Sequence, residues 1–381
     1  MAKDSTIKKG YKQTEIGVIP EDWDILCVED SFEICNTLRF PISQSIRDRM
    51  VGIYPYYGPT GVQSYINEYR IDGEYALIGE DGDHFLKWRN HSMTLLVSGK
   101  FNVNNHAHLI KGLKNLTKWF YWYFANKDLT LHLTRQGAGR FKLTKNTLKQ
   151  ILCAIPPLEE QTAIAEVLSD TDALIENLEN QIAKKKAIKQ GTMQQLLTGK
   201  KRLPGFRGEW EVKKFKNLST LEYGSSLESK EYDNFSESFV YGTSGIIGNS
   251  FKFLSVGESV VIGRKGTINK PIYIPKQQKF WVIDTAFYLK SEENIQYLFY
   301  LLSNIDFSKY NESTGVPSLN RNTFYEILVL IPNSIAEQTA IAEILSDMDS
   351  EIEVLEEKCE KYKKIKQGMM QQLLTGKIRL V

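Results

Sequence analysis

The chain is poor in the residues that build covalent or metal frameworks. It has four cysteines, Cys27, Cys35, Cys153 and Cys359, and five histidines in 381 residues. The cysteines form no C-x-x-C pair, which excludes a zinc ribbon or a disulfide scaffold and leaves four buried thiols of a reducing compartment as the expectation. No apolar run approaches the roughly 18 residues of a membrane helix. The opening "MAKDSTIKKGYKQTEIGVIP" lacks the apolar stretch of a secretion signal, so a cytoplasmic location is expected. Charge of one sign is lacking too, since the net charge is only +2. Contact with a polyanion must therefore come from local Lys and Arg clusters. Such clusters occur at Lys184–Lys189, Lys200–Arg202, Gly139–Lys145 and Gly263–Lys270.

Catalytic signatures are missing as well. There is no glycine loop for S-adenosylmethionine, no Asn/Asp-Pro-Pro-aromatic element to hold a flipped base, and no G-x-x-x-x-G-K-[ST] loop for ATP. "GEDGDH" at Gly79 has acids and a histidine but no downstream ligands at a recognisable spacing, so no metal site is expected. His106 and His108 alternate as on one strand face and read as satisfied or solvent-facing side chains, with base contact the other option.

What is present is a repeat. "EQTAIAEVLSD" begins at Glu160 and "EQTAIAEILSD" at Glu337, and the two copies agree without a gap at about 31 of 44 positions. Both are rich in Ala, Leu, Glu, Lys and Gln and free of proline, which predicts helix, with Gly199 and Gly376 as left-handed stops. Apolar residues trace a heptad stripe: Leu168, Ile175, Leu178, Ile182, Ile188 and Leu196 in one copy, Leu345, Met348, Ile352, Leu355, Cys359, Tyr362, Ile365, Met369 and Leu373 in the other. Ser169 and Ser346 read as N-caps, each with an Asp three residues on, so "EQTAIAEVL" is expected as a separate short helix. From Ser169, about 29 residues give a rod of roughly 43 Å.

The text before each copy is rich in Gly and aromatics and carries short alternating runs bounded by turn residues, the mark of strand-rich domains. The two stretches are distant relatives. "YYGPTG" at Tyr56 parallels "VYGTSG" at Val240, "ALIGEDG" at Ala76 parallels "VVIGRKG" at Val260, and "KLTKNTLKQILCAIP" at Lys142 parallels "SLNRNTFYEILVLIP" at Ser318. The expected fold is mixed α and β: two similar strand-rich domains (1–159 and 203–336) separated by two long antiparallel coiled-coil helices (160–202 and 337–381), a pseudo-two-fold internal repeat.

The ordered set "YKQTEIGVIPEDWDI", "EQTAIAEVLSD", "QQLLTGK" and "LPGFRGEWEV", with its second copies, resembles the specificity subunit of type I restriction-modification systems over essentially the whole chain. The resemblance implies two target-recognition domains, each taking one half of a split double-stranded DNA site, and conserved helices that dock methyltransferase subunits, two being expected, with restriction subunits completing the enzyme. It implies no catalysis and no cofactor in this chain, with S-adenosylmethionine, ATP and Mg on the partners.

Candidate DNA contacts follow from loop chemistry. In "GRKGTINK", Arg264, Lys265, Thr267 and Lys270 stand where glycines allow close backbone approach. Its first-domain counterpart "GEDGD" is acidic there, so the two domains cannot make the same contacts. In "QGAGRFKLTKN" the candidates are Arg140, Lys142 and Lys145. In the parallel "ESTGVPSLNRN" they are Ser318, Asn320 and Arg321, all equally readable as turn and cap residues. Lys100, Asn102 and Asn104, with Asn105, are a weaker set. The helical lysines read as a solvated face before they read as a DNA surface. Gln194, Gln195, Gln371 and Gln372 are the candidate docking residues, because seam pairing alone does not demand identical glutamines. A coiled-coil scaffold joining two protein-binding modules is the competing reading, and it leaves the divergence of the basic loops unexplained.

Overall fold

A computed structural model describes residues 7–136 and 140–380. The chain divides into two compact units, Met1–Asn177 with Cys359–Val381, and Leu178–Lys358. The division cuts both long helices, so each unit owns one strand-rich region and part of each rod.

In the first unit a four-stranded antiparallel sheet runs in the order Phe32–Ile34, Ala107–Gly112, Tyr75–Gly79, Thr94–Val97. A second sheet runs Gly61–Ile66, Val51–Gly58, Lys100–Val103, Ile71–Asp72, and its one parallel pair joins Asn102 to Tyr56. The second unit repeats the plan. Its sheets run Thr220–Tyr223, Ala286–Lys290, Ser259–Gly263, Ile272–Ile274, and Tyr232–Asp233, Gly245–Ser250, Ser238–Gly242, Lys279–Val282, Ser255–Val256, again with one parallel pair.

The strands Tyr75–Gly79 and Ser259–Gly263 are buried at every position. Alternate side chains explain this, because successive residues on a strand point to opposite faces. Ala76 and Ile78 pack into the cluster holding the aromatic helix Thr117–Ala125, while Tyr75 and Leu77 pack with Phe101 and Val103 of the second sheet. Val260 and Ile262 likewise face the helix Ile295–Ser303, and Val261 faces Phe280 and Val282. A strand covered on both sides thus reads as a continuous apolar run.

The repeated segments are single helices, Leu158–Leu196 and Ile335–Leu373, each of 39 residues, about 58 Å long at 1.5 Å per residue. This corrects the expected starts at Ser169 and Ser346. Both serines lie inside continuous helix, because nothing in the Ala-rich "EQTAIAE" breaks it, and the true starts follow Pro157 and Ser334. Ser334 Oγ accepts from the Glu337 N–H at 3.3 Å, the cap that had been placed farther on. The stops are as expected: Gly199 and Gly376 have φ of +69° and +68°. A Cβ on Gly376 would also lie 2.4 Å from Pro20 Cδ, so glycine answers both conformation and space there.

Much of the stripe is buried, with Leu168, Ile175, Leu178, Leu345, Ile352, Cys359 and Leu373 all under a tenth exposed. Ile188 and Ile365 depart from it, at 45% and 40% exposed. The next residue takes the inward place. Lys189 is ion-paired with Asp349 within the second unit, and Lys366 with Asp172 within the first. In the second unit Lys186 also pairs with Glu356 at 2.6 Å and Lys185 with Glu351 at 2.5 Å, and the pairing of 186 with 356 and 189 with 349 makes these helix segments antiparallel. Lys185, Lys186, Lys189 and Lys366 are thus engaged in ion pairs between helix segments.

Candidate nucleic-acid interface

Each unit joins its rods to its strands through buried polar residues of the repeated "EQ". Gln161 Oε1 accepts from the Leu116 N–H at 3.0 Å, just before the helix Thr117–Ala125, and its amide donates to Asn115 Oδ1 and Pro156 O. Gln338 does the same for Asn294 N, Glu293 and Pro332 O. Glu160, with no exposed side-chain surface, accepts from Trp23 Nε1 and from Arg379, while Glu337 accepts from Trp210 Nε1 and Arg202. These roles escaped the sequence reading. The available signal was an acid and an amide repeated identically at the start of each copy.

The two loops singled out in each globular region do meet. In the second unit Gly266 N–H donates to Pro317 O at 2.8 Å, Leu319 N–H donates to Arg264 O at 2.9 Å, and Lys265 bridges to Ser318. Arg264 and Lys265 N–H groups both donate to Thr285 O. A Cβ on Gly263 would stand 2.1 Å from Thr267 O, so the turn closes only on glycine. In the first unit Gly82 N–H donates to Phe141 O, Leu143 N–H to Glu80 O, and Asp81 bridges to Lys142. One scaffold thus carries two sets of side chains.

The sets differ in charge. Arg264 lies 5.3 Å and Arg321 4.9 Å from the ring centroid of Tyr223, itself 47% exposed at the end of its strand. Among the described residues neither guanidinium has a carboxylate within ion-pair distance; Arg264 spends one Nη1–H on Asp284 O at 3.0 Å. Asn320 caps the helix Arg321–Glu326 through the Asn322 N–H, so the turn-and-cap reading holds for it. Lys265 and Thr267 are exposed, and the Ser318 N–H is held by Asn311 Oδ1. Lys270, also exposed, donates to Ser244 O at 3.0 Å.

In the first unit the position of Arg264 is taken by Glu80, which Arg39 meets at 2.7 Å and Lys142 at 3.4 Å. Burial raises the Glu80 pKa, but the Arg39 hydrogen bond and the charges of His108, Arg39 and Lys142 outweigh it and the net shift is down. His106 pairs with Asp81 at 2.9 Å, and buried His108 bonds Leu143 O and Asn36. Both histidines are satisfied. Lys145 and Arg140 are exposed, and the tip 137–139 of their loop lies outside the described residues. Among the described residues no group of three or more His, Cys, Asp or Glu is placed to hold a metal ion.

The third set is largely corrected. Asn102 is fully buried, its Oδ1 accepting from Arg70 N–H and its amide donating to Glu68 O. Asn104 is 5% exposed and bonds Gln63 and the His106 N–H. Both side chains are used up inside the fold and do not reach a ligand. Lys100 remains exposed, 4.6 Å from the Tyr69 ring centroid. On the rods Gln194, Gln195 and Gln371 are exposed and Gln372 is half-buried.

Two modules of one family match this architecture. The model of the type I restriction modification DNA specificity domain matches residues 20–187 and 207–366, and the chain belongs to that family. It is a specificity component of such systems, not their catalyst. A type I restriction enzyme specificity subunit of Methanocaldococcus jannaschii, MjaVIII, is 25% identical over 98% of this chain and 97% of its own length. A putative specificity subunit of Haemophilus influenzae is 39% identical over 39% of this chain, spanning 37% of that relative. Among solved structures, the type I S subunit from M. genitalium superposes with a TM-score of 0.71 at 14% identity, covering 92% of this chain and 96% of that one, a likeness of fold. No helix among the described residues is long and apolar enough to cross a membrane.

Proposed function

We propose that this chain recognises an asymmetric, bipartite sequence in double-stranded DNA for a type I restriction-modification complex. The regions 1–159 and 203–336 act as target-recognition domains, and each binds one half-site. The observation that carries this reading is the shared loop junction: the same backbone contacts present Glu80, Lys142 and Lys145 in one unit and Arg264, Ser318 and Arg321 in the other. A common frame with unlike side chains is what reading two unlike half-sites requires. Arg140, Lys265, Thr267 and Lys270 are exposed in these loops, Lys100 is exposed elsewhere in the first unit, opposite Asp72, and all five supply phosphate or base contacts.

The rods set the spacing of the half-sites, and Gln194, Gln195, Gln371 and Gln372 dock two methyltransferase subunits, to which restriction subunits add. S-adenosylmethionine, ATP and Mg belong to those partners, and the complex works in the cytoplasm.

The test is selection from random duplex DNA with the full chain co-expressed with the methyltransferase subunit of its system. Two unlike motifs at a fixed gap are expected in the retained pool. A folded complex that enriches nothing would move the assignment to a protein scaffold.

A further inference from the structure

We propose that Tyr223, Arg264 and Arg321 form a guanine-reading element for the half-site of the second unit, with Arg264 the residue that reads the base. The inference rests on the DNA-recognition reading above and adds a base to it.

Two guanidinium groups stand within 5.3 Å of the centroid of one phenol ring, with no carboxylate at ion-pair distance among the described residues. Like charges gathered around one half-exposed ring repel, and no carboxylate among the described residues lies at ion-pair distance to relieve them. Cation–π attraction to the ring draws each guanidinium toward Tyr223 without using its N–H donors. Arg264 is oriented further by its Nη1 bond to Asp284 O, and its backbone is pinned by Thr285 and Leu319. A planar fork held in this way matches the adjacent O6 and N7 acceptors of guanine in the major groove. Arg321, the first residue of its helix, stands beside it and supplies a second charge for phosphate or base.

The first unit lacks this element for a reason in its own side chains. There Glu80 occupies the equivalent position and is held by Arg39 and Lys142, so the loop presents a compensated cluster. Guanine reading by a free arginine on the loop that follows the buried strand is therefore confined to one half-site.

The test is the same DNA selection run with wild type, Arg264→Ala and Arg264→Lys in the full complex. The half-site motif that neither substitution touches serves as the folding control within each pool. If Arg264 reads guanine, alanine erases the preference for one guanine in one half-site, with a loss on that sequence of roughly tenfold to a hundredfold, and lysine, which lacks the planar fork, restores it only in part. If Arg264 only holds phosphate, alanine weakens all sequences alike and lysine recovers the binding, which overturns the proposal. An unchanged motif and affinity also overturn it. Wild-type pools without any motif would instead fail the parent reading, so the two failures are told apart.

Discussion

Arg379 and Glu160 lie 219 positions apart and form a two-pronged ion pair, Nε to Oε1 at 2.6 Å and Nη2 to Oε2 at 2.8 Å. In the second unit Arg202 holds Glu337 with the same geometry, at 2.6 and 2.8 Å. Each pair ties the chain just beyond one rod to the first turn of the other. The carboxylate is nearly or fully buried in both cases, at 0% and 1% side-chain exposure. A buried charge stripped of its partner is costly, whereas removing both charges together costs less. Arg379→Ala is therefore expected to destabilise the first unit by about 3 kcal/mol in urea denaturation. Glu160→Gln combined with Arg379→Gln should cost less than either single change. A double variant no more stable than the singles would show that the charge pair is not what closes this joint.

Asn102 and Lys100 are neighbours on one strand with opposite fates, and their variants should separate stability from binding. Asn102→Ala leaves the Arg70 N–H and Glu68 O without their partner, at a cost of about 1–3 kcal/mol. The DNA motif recovered by selection should not change. Lys100→Ala should move the unfolding midpoint little and reduce affinity for all sequences alike, with a shallower salt dependence. A motif altered by Asn102→Ala without loss of stability would return that residue to the reading surface.

How much of this was legible beforehand follows from the range of each interaction. The rods were readable because helix propensity, heptad spacing and terminal glycine are local signals. The loop junction was readable because two parallel texts marked the same places. The roles of Glu160 and Gln161 were not, because a polar pair on a helix looks solvated until Trp23, Leu116 and Arg379 arrive from remote parts of the chain. Asn102 misled for the converse reason: in a run such as "SGKFNVNN" asparagine signals a loop, yet here it fills a bonding site inside the sheet. The continuity of the rod through Ser169 was missed because a serine there resembled a cap and set the preceding turns apart as a short helix. Tyr223, the ring beneath two arginines, carried no signal, since its loops lie far off in sequence.

His108 makes the first unit sensitive to acid. Its Nε2 lies 2.8 Å from Leu143 O and must donate there, so Nδ1 accepts from the Asn36 amide at 2.9 Å, and Asn36 Oδ1 is already held by the Leu109 N–H. Burial lowers the His108 pKa below 6.5, as do the charges of Arg39 and Lys145, against the upward pull of the Leu143 bond and Glu80. The unfolded chain therefore binds the proton first. Stability should be unaffected by this group above about pH 6.5 and fall as pH drops from there toward the folded pKa. His84, lowered by burial as well, acts in the same direction. Urea midpoints at pH 7.5, 6.5 and 5.5 should decline less in His108→Gln than in wild type, whatever the variant costs at neutral pH. Parallel declines would remove His108 as the source.

Gln194 and Gln371 occupy the same place near the ends of the two rods, and both are exposed. Exposed helix surface has no need to keep one residue type for packing, and the proposed docking role rests on this identity. Replacing each by glutamate keeps the size and adds a negative charge near a helix C-terminus, an unfavourable placement worth about 0.3–1 kcal/mol per site. That is too little to unfold a rod tied at both its ends by buried joints. Gln194→Glu with Gln371→Glu should thus leave the helix content and unfolding midpoint nearly unchanged while reducing recovery of the methyltransferase subunit on co-purification. With one proposed docking site on each rod, each single variant should retain one subunit and the double variant neither, a stoichiometry readable by mass photometry. Full occupancy in the double variant would place the docking surface elsewhere on the chain.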